Sequence, residues 1–287
     1  MDFKSGAELL ALCEKEGLPI SQVMLRREAE LGEAAPEKLR RRMGQALEIM
    51  TVSAGASLRE PGRSMGGLIG GEAKRVFDHL PQSLCGPVLS RAAAYAMAVL
   101  EVSSSMGLIV AAPTAGSAGV VPGVLLALGE ERGLPRERLI DALFNAGAVG
   151  YLAMRNATVA GAVGGCQAEV GVAAAMAASA AVELLDGSPR QSLDAASTVL
   201  MNMLGLVCDP VGGLVEYPCQ SRNAAGATNA LTAAELALSG VPQLIPFDEM
   251  LSAMYAVGRR LPAELRETAL GGCATTPSAC AACQGCM

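Results

Sequence analysis

Pro36-Glu37-Lys38-Leu39-Arg40-Arg41-Arg42-Met43-Gly44-Gln45-Ala46-Leu47-Glu48-Ile49-Met50 decides the fold class. Leu39, Met43, Leu47 and Met50 recur every three or four residues, which gathers them on one face of a helix. Arg40, Arg41 and Arg42 fall on the other faces, as solvated surface. Pro36 takes a first-turn position, where its missing N–H leaves no bond unmade. The same signals recur outward. Ser5-Gly6-Ala7-Glu8 is a capping box, in which side chains satisfy first-turn amides, and it opens a run ending at Gly17. Pro135 to Gly147 and Ser188-Pro189 to Gly205 each start on proline and stop on glycine. Ala224 to Ser239 and Phe247 to Arg259 complete the helical set. No stretch alternates apolar and polar residues between turn signals, so the expected class is mainly α, without a sheet.

Hydrophobic residues make up 51% of the 287, but aromatics only 3%, with no Trp. A core of Ala, Val, Leu, Met and Gly follows, and small side chains let helices approach closely. The net charge of -6 and the lack of a long basic run exclude a nucleic-acid footprint, which needs clustered Lys and Arg. Residues 1–60 carry 19 charged side chains, whereas Ala142 to Val182 carries only Arg155 and Glu169. The reading is a charged helical N-terminal segment over 1–60, a large helical domain over 61–272, and a Cys-rich tail over 273–287, with the first boundary at Glu60-Pro61-Gly62. Val102 to Gly129 is uncharged and exceeds the ~20 residues that span a bilayer. Pro113, Pro122 and four glycines interrupt it, so it reads as a buried loop between core helices and no membrane span is expected. The first residues lack the basic start, apolar run and cleavage site of a secretory signal, and the nine cysteines read as thiols of a reducing compartment; the expected location is cytoplasmic.

Three cysteines sit beside backbone breakers: Gly164-Gly165-Cys166, Gly205-Leu206-Val207-Cys208-Asp209-Pro210 and Tyr217-Pro218-Cys219. Glycine lets the main chain approach a bulky inorganic group, and proline fixes a turn that presents a thiolate. Three such thiolates suit a cluster with one iron left open, while the alternative is ordinary burial, a frequent fate of free cysteine. In Pro113-Thr114-Ala115-Gly116-Ser117-Ala118-Gly119, amides and hydroxyls can point together at an anion, although a turn of this kind is often only a turn.

These residues carry a family resemblance. The run from Ala111 to Gly123, Gly164-Gly165-Cys166-Gln167-Ala168-Glu169-Val170-Gly171, the run from Leu204 to Glu216, and Arg222-Asn223-Ala224 resemble the α subunit of iron–sulfur L-serine dehydratase. Ser64 to Lys74, Met254-Tyr255 and Leu265 to Thr268 extend the resemblance, which spans about Leu9 to Pro277. It implies that Cys166, Cys208 and Cys219 bind a four-iron, four-sulfur (4Fe-4S) cluster. It also implies that residues Thr114, Ala115, Gly116, Ser117, Ala118 and Gly119 contact L-serine, and that domain 61–272 is catalytic.

Deamination of serine then needs a Lewis acid for the departing hydroxyl and a base for the Cα proton. The sequence does not single out the base. Lys74 and Glu169 are the candidates nearest the motifs, with a salt bridge or a cap as the structural alternative for either, and His79 reads as surface. A pyridoxal mechanism is poorly served, since Lys74 is the one lysine outside the charged entry segment. The tail departs from the family: Cys280-Ala281-Ala282-Cys283-Gln284-Gly285-Cys286 has ferredoxin-like spacing, so Cys286 is a possible fourth ligand to the open iron, or the tail binds metal separately. The competing function is an iron–sulfur electron carrier that uses this run. Two-chain members of the family have a separate β subunit with a Ser-Ser-Ser-His-Thr type motif; here Met106 follows Ser103-Ser104-Ser105, so a β partner in a hetero-oligomer is expected.

Overall fold

Ser5 Oγ accepts the Glu8 amide at 3.1 Å, and the chain enters α1 (Gly6–Glu16), which stops at Gly17 with φ 65. In this computed structural model, which describes residues 1–284, twelve further helices follow: α2 (Ile20–Leu31), α3 (Pro36–Arg59), α4 (Glu72–Asp78), α5 (Gly86–Ser104), α6 (Val120–Arg132), α7 (Arg136–Asn156), α8 (Gly161–Gly164), α9 (Val172–Leu184), α10 (Pro189–Asn202), α11 (Cys219–Leu238), α12 (Phe247–Gly258) and α13 (Pro277–Gln284). Among the described residues there is no strand, only an isolated parallel bridge between Cys208 and Arg266. The mainly α expectation holds.

The centre of the fold is α9. Seven alanines and two valines leave it little side-chain bulk, and every residue from Val172 to Leu184 except Glu183 is buried. That narrow cylinder is surrounded by α6, α7, α10 and α11. The α2 helix packs on α7 and α3 on α5, so the charged N-terminal residues line the outside of the same bundle and contribute Phe3, Leu9, Ile20, Leu47 and Met50 to its core. Glu183 is held within that packing. Its Oε2 accepts the Asn145 side-chain amide at 2.7 Å and the Ser21 N–H at 3.2 Å, and Ser179 Oγ donates to Asn145 Oδ1 at 2.6 Å.

Two local expectations are corrected. Gly147 does not end a helix; α7 runs on to Asn156, held by its packing against α9 and α2. A Cβ at the next glycine, Gly150, would stand 3.1 Å from Met176 Sδ. Tertiary packing overrides the stop signal. Likewise, the uncharged stretch after Val102 is a loop only as far as Gly119 and then becomes α6, with Pro122 in the first turn, where no N–H is required. Close contact again explains the glycines: a Cβ on Gly119 would strike the Ala96 carbonyl oxygen, and one on Gly123 would lie 2.7 Å from that of Ala92. Among the described residues, no helix is long and apolar enough to cross a membrane.

Candidate active site

The loops that lead into α6, α9 and α11 meet at one end of the bundle. Between α8 and α9 the chain makes one wide π-type turn, Gln167–Gly171, of a kind often found at functional sites. Gly165 (φ 76) precedes it; a Cβ there would be 2.8 Å from the Leu206 carbonyl oxygen, so the Cys166 turn lies flat on the loop after α10. Gln167, almost fully buried, fixes that contact. Its side-chain amide donates to the carbonyls of Gly164 (2.8 Å) and Met254 (3.2 Å), its Oε1 accepts the Gly205 N–H at 2.8 Å, and its own N–H reaches Leu206 O at 3.0 Å. Cys208 is pinned in turn: its N–H donates to Leu265 O at 2.9 Å and its carbonyl accepts the Glu267 N–H at 2.7 Å.

Cys166 Sγ, Cys208 Sγ and a Glu169 carboxylate oxygen lie within 4.8 Å of one another. Thr114 Oγ1 donates to Glu169 Oε1 at 2.8 Å and sits 3.1 Å from Ser117 Oγ, so the 114–119 turn is tied to the thiols through this carboxylate. Space is kept by glycine: a Cβ on Gly161 would be 2.5 Å from Glu169 Oε2 and 3.2 Å from Cys208 Sγ. The third thiol, Cys219, is buried on the first turn of α11, outside that tightest group. Asn223, one turn along, joins it to the 114–119 turn. The Asn223 amide donates to Gly116 O (2.8 Å) and Cys219 O (2.9 Å), and its Oδ1 accepts the Gly119 N–H at 3.1 Å. Arg222 Nη1 pairs with Asp209 Oδ1 at 2.6 Å and donates to Val207 O at 2.9 Å.

Two further buried carboxylates clamp the 64–74 segment onto this end. Glu216 accepts Ser64 Oγ (2.6 Å) and the amides of Gly66 (2.6 Å) and Leu68 (3.1 Å). Glu101 accepts the Ala73 N–H at 2.9 Å, Gln220 Nε2 at 2.7 Å and a short bond from Ser57 Oγ. Lys74 points away, paired with Asp78 at 2.7 Å on the surface of α4, and His79 follows that helix on the exterior.

The electrostatics suit a metal. Cys166 is held below the usual thiol range, first by a hydrogen bond from Cys208 and, against the cost of burial, by the Arg222 charge. The same shared proton, together with burial, pushes Cys208 above its usual range. Burial and the Cys166 charge push the Cys219 thiol up to about 12. Glu169 is raised by burial, although the bond from Thr114 opposes the shift. Cys208 and Cys219 hold their protons because burial beside the Cys166 charge disfavours further thiolates, and a cation displaces such protons on binding. Two buried thiols with a carboxylate within 4.8 Å, a third buried thiol on the adjoining turn, and a glycine at 161 where a side chain would crowd them fit a thiolate-bound metal centre.

Of the residues singled out from sequence, the structure therefore brings together Cys166, Cys208, Glu169, Thr114 and Ser117, sets Cys219 beside them, and leaves Lys74 outside. Gln167, Asn223, Arg222 and Asp209 escaped notice as site residues, although each lies inside a quoted motif. In the tail, the Cys273 N–H donates to Asp209 Oδ2 at 2.6 Å, and Cys283 on α13 packs at Gly212, so this segment rests on the 208–219 loop. Cys286 lies outside the described residues.

Residues 15–274 match the family described as the serine dehydratase alpha chain. The chain is 46% identical over 278 residues to a probable L-serine dehydratase alpha chain of Bacillus subtilis (strain 168), covering 96% of this chain and 92% of that one. It is 42% identical over 274 residues to the L-serine dehydratase alpha chain of Peptoniphilus asaccharolyticus, covering 95% and 94%. An L-serine dehydratase of Helicobacter pylori (strain ATCC 700392 / 26695) is 36% identical over 281 residues, which are 96% of this chain but 62% of that protein. The family match over residues 15–274 and the identities of 42% and 46% over nearly the full length of both chains agree, and the chain belongs to the serine dehydratase alpha chain family.

Proposed function

We propose that this chain is the cluster-carrying subunit of an L-serine dehydratase, a lyase that converts L-serine to pyruvate and ammonia. The observation that carries the proposal is the meeting of Cys166, Cys208 and Glu169 within 4.8 Å, with Thr114 bonded to that glutamate. When bound by Cys166, Cys208 and Cys219, a 4Fe-4S cluster supplies a Lewis acid for the departing hydroxyl. The chain's own residues do the rest. Thr114, Ala115, Gly116, Ser117, Ala118 and Gly119 receive the substrate carboxylate, where the amides that open the short helical turn at Ala115 lack intrahelical partners. Glu169 is assigned the Cα proton: burial raises its affinity for that proton, and Lys74 is committed to Asp78. Loss of the proton and the hydroxyl gives aminoacrylate and water; its imine tautomer then adds water and releases ammonia, leaving pyruvate.

A β chain is part of the proposal. Beside the site Met65, Leu214, Val215 and Tyr217 are exposed, an apolar rim suited to a partner surface, and the Helicobacter relative extends well beyond the matched region. The unpaired thiols of the described residues support a cytoplasmic setting. Family membership does not favour the electron-carrier alternative. The test is iron and sulfide analysis of the anaerobically reconstituted chain, with pyruvate release from L-serine measured after a β chain is added. Stoichiometric cluster and serine-dependent pyruvate are expected; a chain that binds neither iron nor sulfide, or a loaded complex with reversible redox behaviour and no pyruvate, overturns the proposal.

A further inference from the structure

Arg222 belongs to a motif that the proposed chemistry leaves without a role. It stands on the first turn of α11, three residues after Cys219, with its side chain only 16% exposed against an Asp209 side chain exposed by 2%. Its guanidinium bonds the residues on either side of Cys208, Asp209 Oδ1 at 2.6 Å and Val207 O at 2.9 Å, so a largely buried positive charge stands between the Cys208 loop and the Cys219 turn, where it favours the thiolate form of Cys166.

We infer that Arg222 is a positioning residue of the site: oriented by the Asp209 carboxylate and the Val207 carbonyl on either side of Cys208, its guanidinium holds a fixed positive charge beside the thiol-bearing loops and weakens their thiolates as electron donors to the bound centre. A planar fork with five donors serves the carboxylate and the carbonyl from one rigid group, while the charge itself is a property that lysine shares. Hydrogen bonds and charge at cluster sulfurs set reduction potential, because they stabilise the more negative, reduced form. A sulfur that donates less leaves its iron more electrophilic, which is the property that the deamination asks of it. Asp209 works in the opposite sense, as a counter-charge that aims the guanidinium and partly offsets it. The same carboxylate receives the Cys273 N–H, so tail and charge device share one anchor.

The inference rests on the cluster reading above, and its test separates the two. The full chain and the variants Arg222→Gln, Arg222→Lys and Asp209→Asn are reconstituted anaerobically, and the cluster's midpoint potential is measured by redox titration followed spectroscopically. Arg222→Gln is expected to lower the midpoint by a tenfold change in equilibrium constant or more, ~59 mV for one electron. Arg222→Lys is expected to stay near the native value, and Asp209→Asn to raise it. A role confined to holding the loop would move neither midpoint, or both in one direction, and either result overturns the inference. Should Arg222→Gln fold with native helix content yet take up no iron, the lysine variant decides: uptake with lysine supports the role of charge, and failure of both overturns it. Native protein that binds no iron and sulfide overturns the cluster reading and this inference with it.

Discussion

Thr114 and Glu169, separated by 55 positions in the chain, are joined by a 2.8 Å hydrogen bond from Oγ1 to Oε1. This bond ties the loop proposed to hold the substrate to the group proposed to take its proton. Hydrogen bonds to a charged acceptor contribute about 1.5 to 3 kcal/mol, and a carboxylate that loses one becomes free to rotate. Thr114→Val is therefore expected to reduce kcat/KM for L-serine by roughly 10- to 100-fold, while Thr114→Ser, which keeps the hydroxyl, stays near native. Steady-state pyruvate release from the complex with a β chain measures both. Equal activity of the valine and serine variants would remove Thr114 from the site's working parts.

The cysteines divide into two groups by position. Cys166 and Cys208 lie together with Glu169 at the bundle end and Cys219 is buried on the adjoining first turn of α11, whereas Cys13 is buried on α1 and Cys85 is exposed before α5. Single alanine substitutions at the first three are expected to abolish or sharply reduce iron and sulfide per chain after anaerobic reconstitution. The same change at Cys13 or Cys85 is expected to leave the content intact, and elemental analysis reads the difference. Full metal content in Cys219→Ala would show that the two close thiols and Glu169 suffice, and would limit the ligand set to residues within 4.8 Å of one another.

How much of this is legible in the sequence depends on whether a feature is local. The α3 helix announces itself through Leu39, Met43, Leu47 and Met50, and the start of α10 through Pro189, where the structure adds a capping box between Ser188 and Gln191. The three thiols and the 114–119 turn stand out because glycine and proline punctuate the backbone around them. Gln167 and Asn223 give no such signal: an amide inside a helical run looks the same whether it faces water or, as here, bonds three segments far apart in sequence. Arg222 is visible as a lone cation in a stretch of small residues, but its partner Asp209 is set by the return of the chain and not by spacing. Gly147 misleads for a related reason, since a glycine that ends a helix and one that lies inside a helix held by its neighbours are written alike. The start of α11 at Cys219 is hidden because the residues before Ala224 are polar, yet Gln220 and Asn223 are buried there by bonds to Glu101 and Gly116.

Glu183 gives the fold a pH dependence that is separate from the site. Burial raises its carboxyl above the ordinary value of 4.5, despite bonds from Ser21 and Asn145 that favour the charged form. The folded state therefore binds the proton more tightly than the unfolded chain does. Between 4.5 and the raised folded value, the native protein holds more protons than the unfolded one, so stability falls as pH rises through that window. Below it the contribution is flat and favourable. Glu183→Gln can retain both bonds at the atom that replaces Oε2 and cannot ionise. Urea denaturation at a series of pH values is expected to show this variant gaining on the native chain as pH increases from about 4 toward neutrality, by an amount on the order of 1 kcal/mol. Parallel curves for the two proteins would mean that Glu183 is not the source.

Gly119 joins packing to the site most directly. It lies where α6 begins, its N–H donates to Asn223 Oδ1 at 3.1 Å, and a Cβ in its place would collide with the Ala96 carbonyl oxygen on α5. The neighbour is helical backbone, which cannot swing aside as a side chain would, so α6 must move off α5. Overpacking of this kind costs about 1 to 3 kcal/mol, and at ~2 to 4 °C per kcal/mol for a chain of this class Gly119→Ala is expected to lower the melting temperature by roughly 2 to 12 °C. The shift also pulls the 114–119 turn away from Asn223, so KM for L-serine is expected to rise at temperatures where the variant remains folded. Gly133→Ala serves as the comparison: this glycine is exposed, with nothing within 4 Å of an added Cβ, and it lies at the far end of α6 with φ 59. It is expected to lose stability through backbone strain while keeping native KM. If both variants raised KM alike, general loosening of the bundle, and not displacement of the turn, would account for the effect at Gly119.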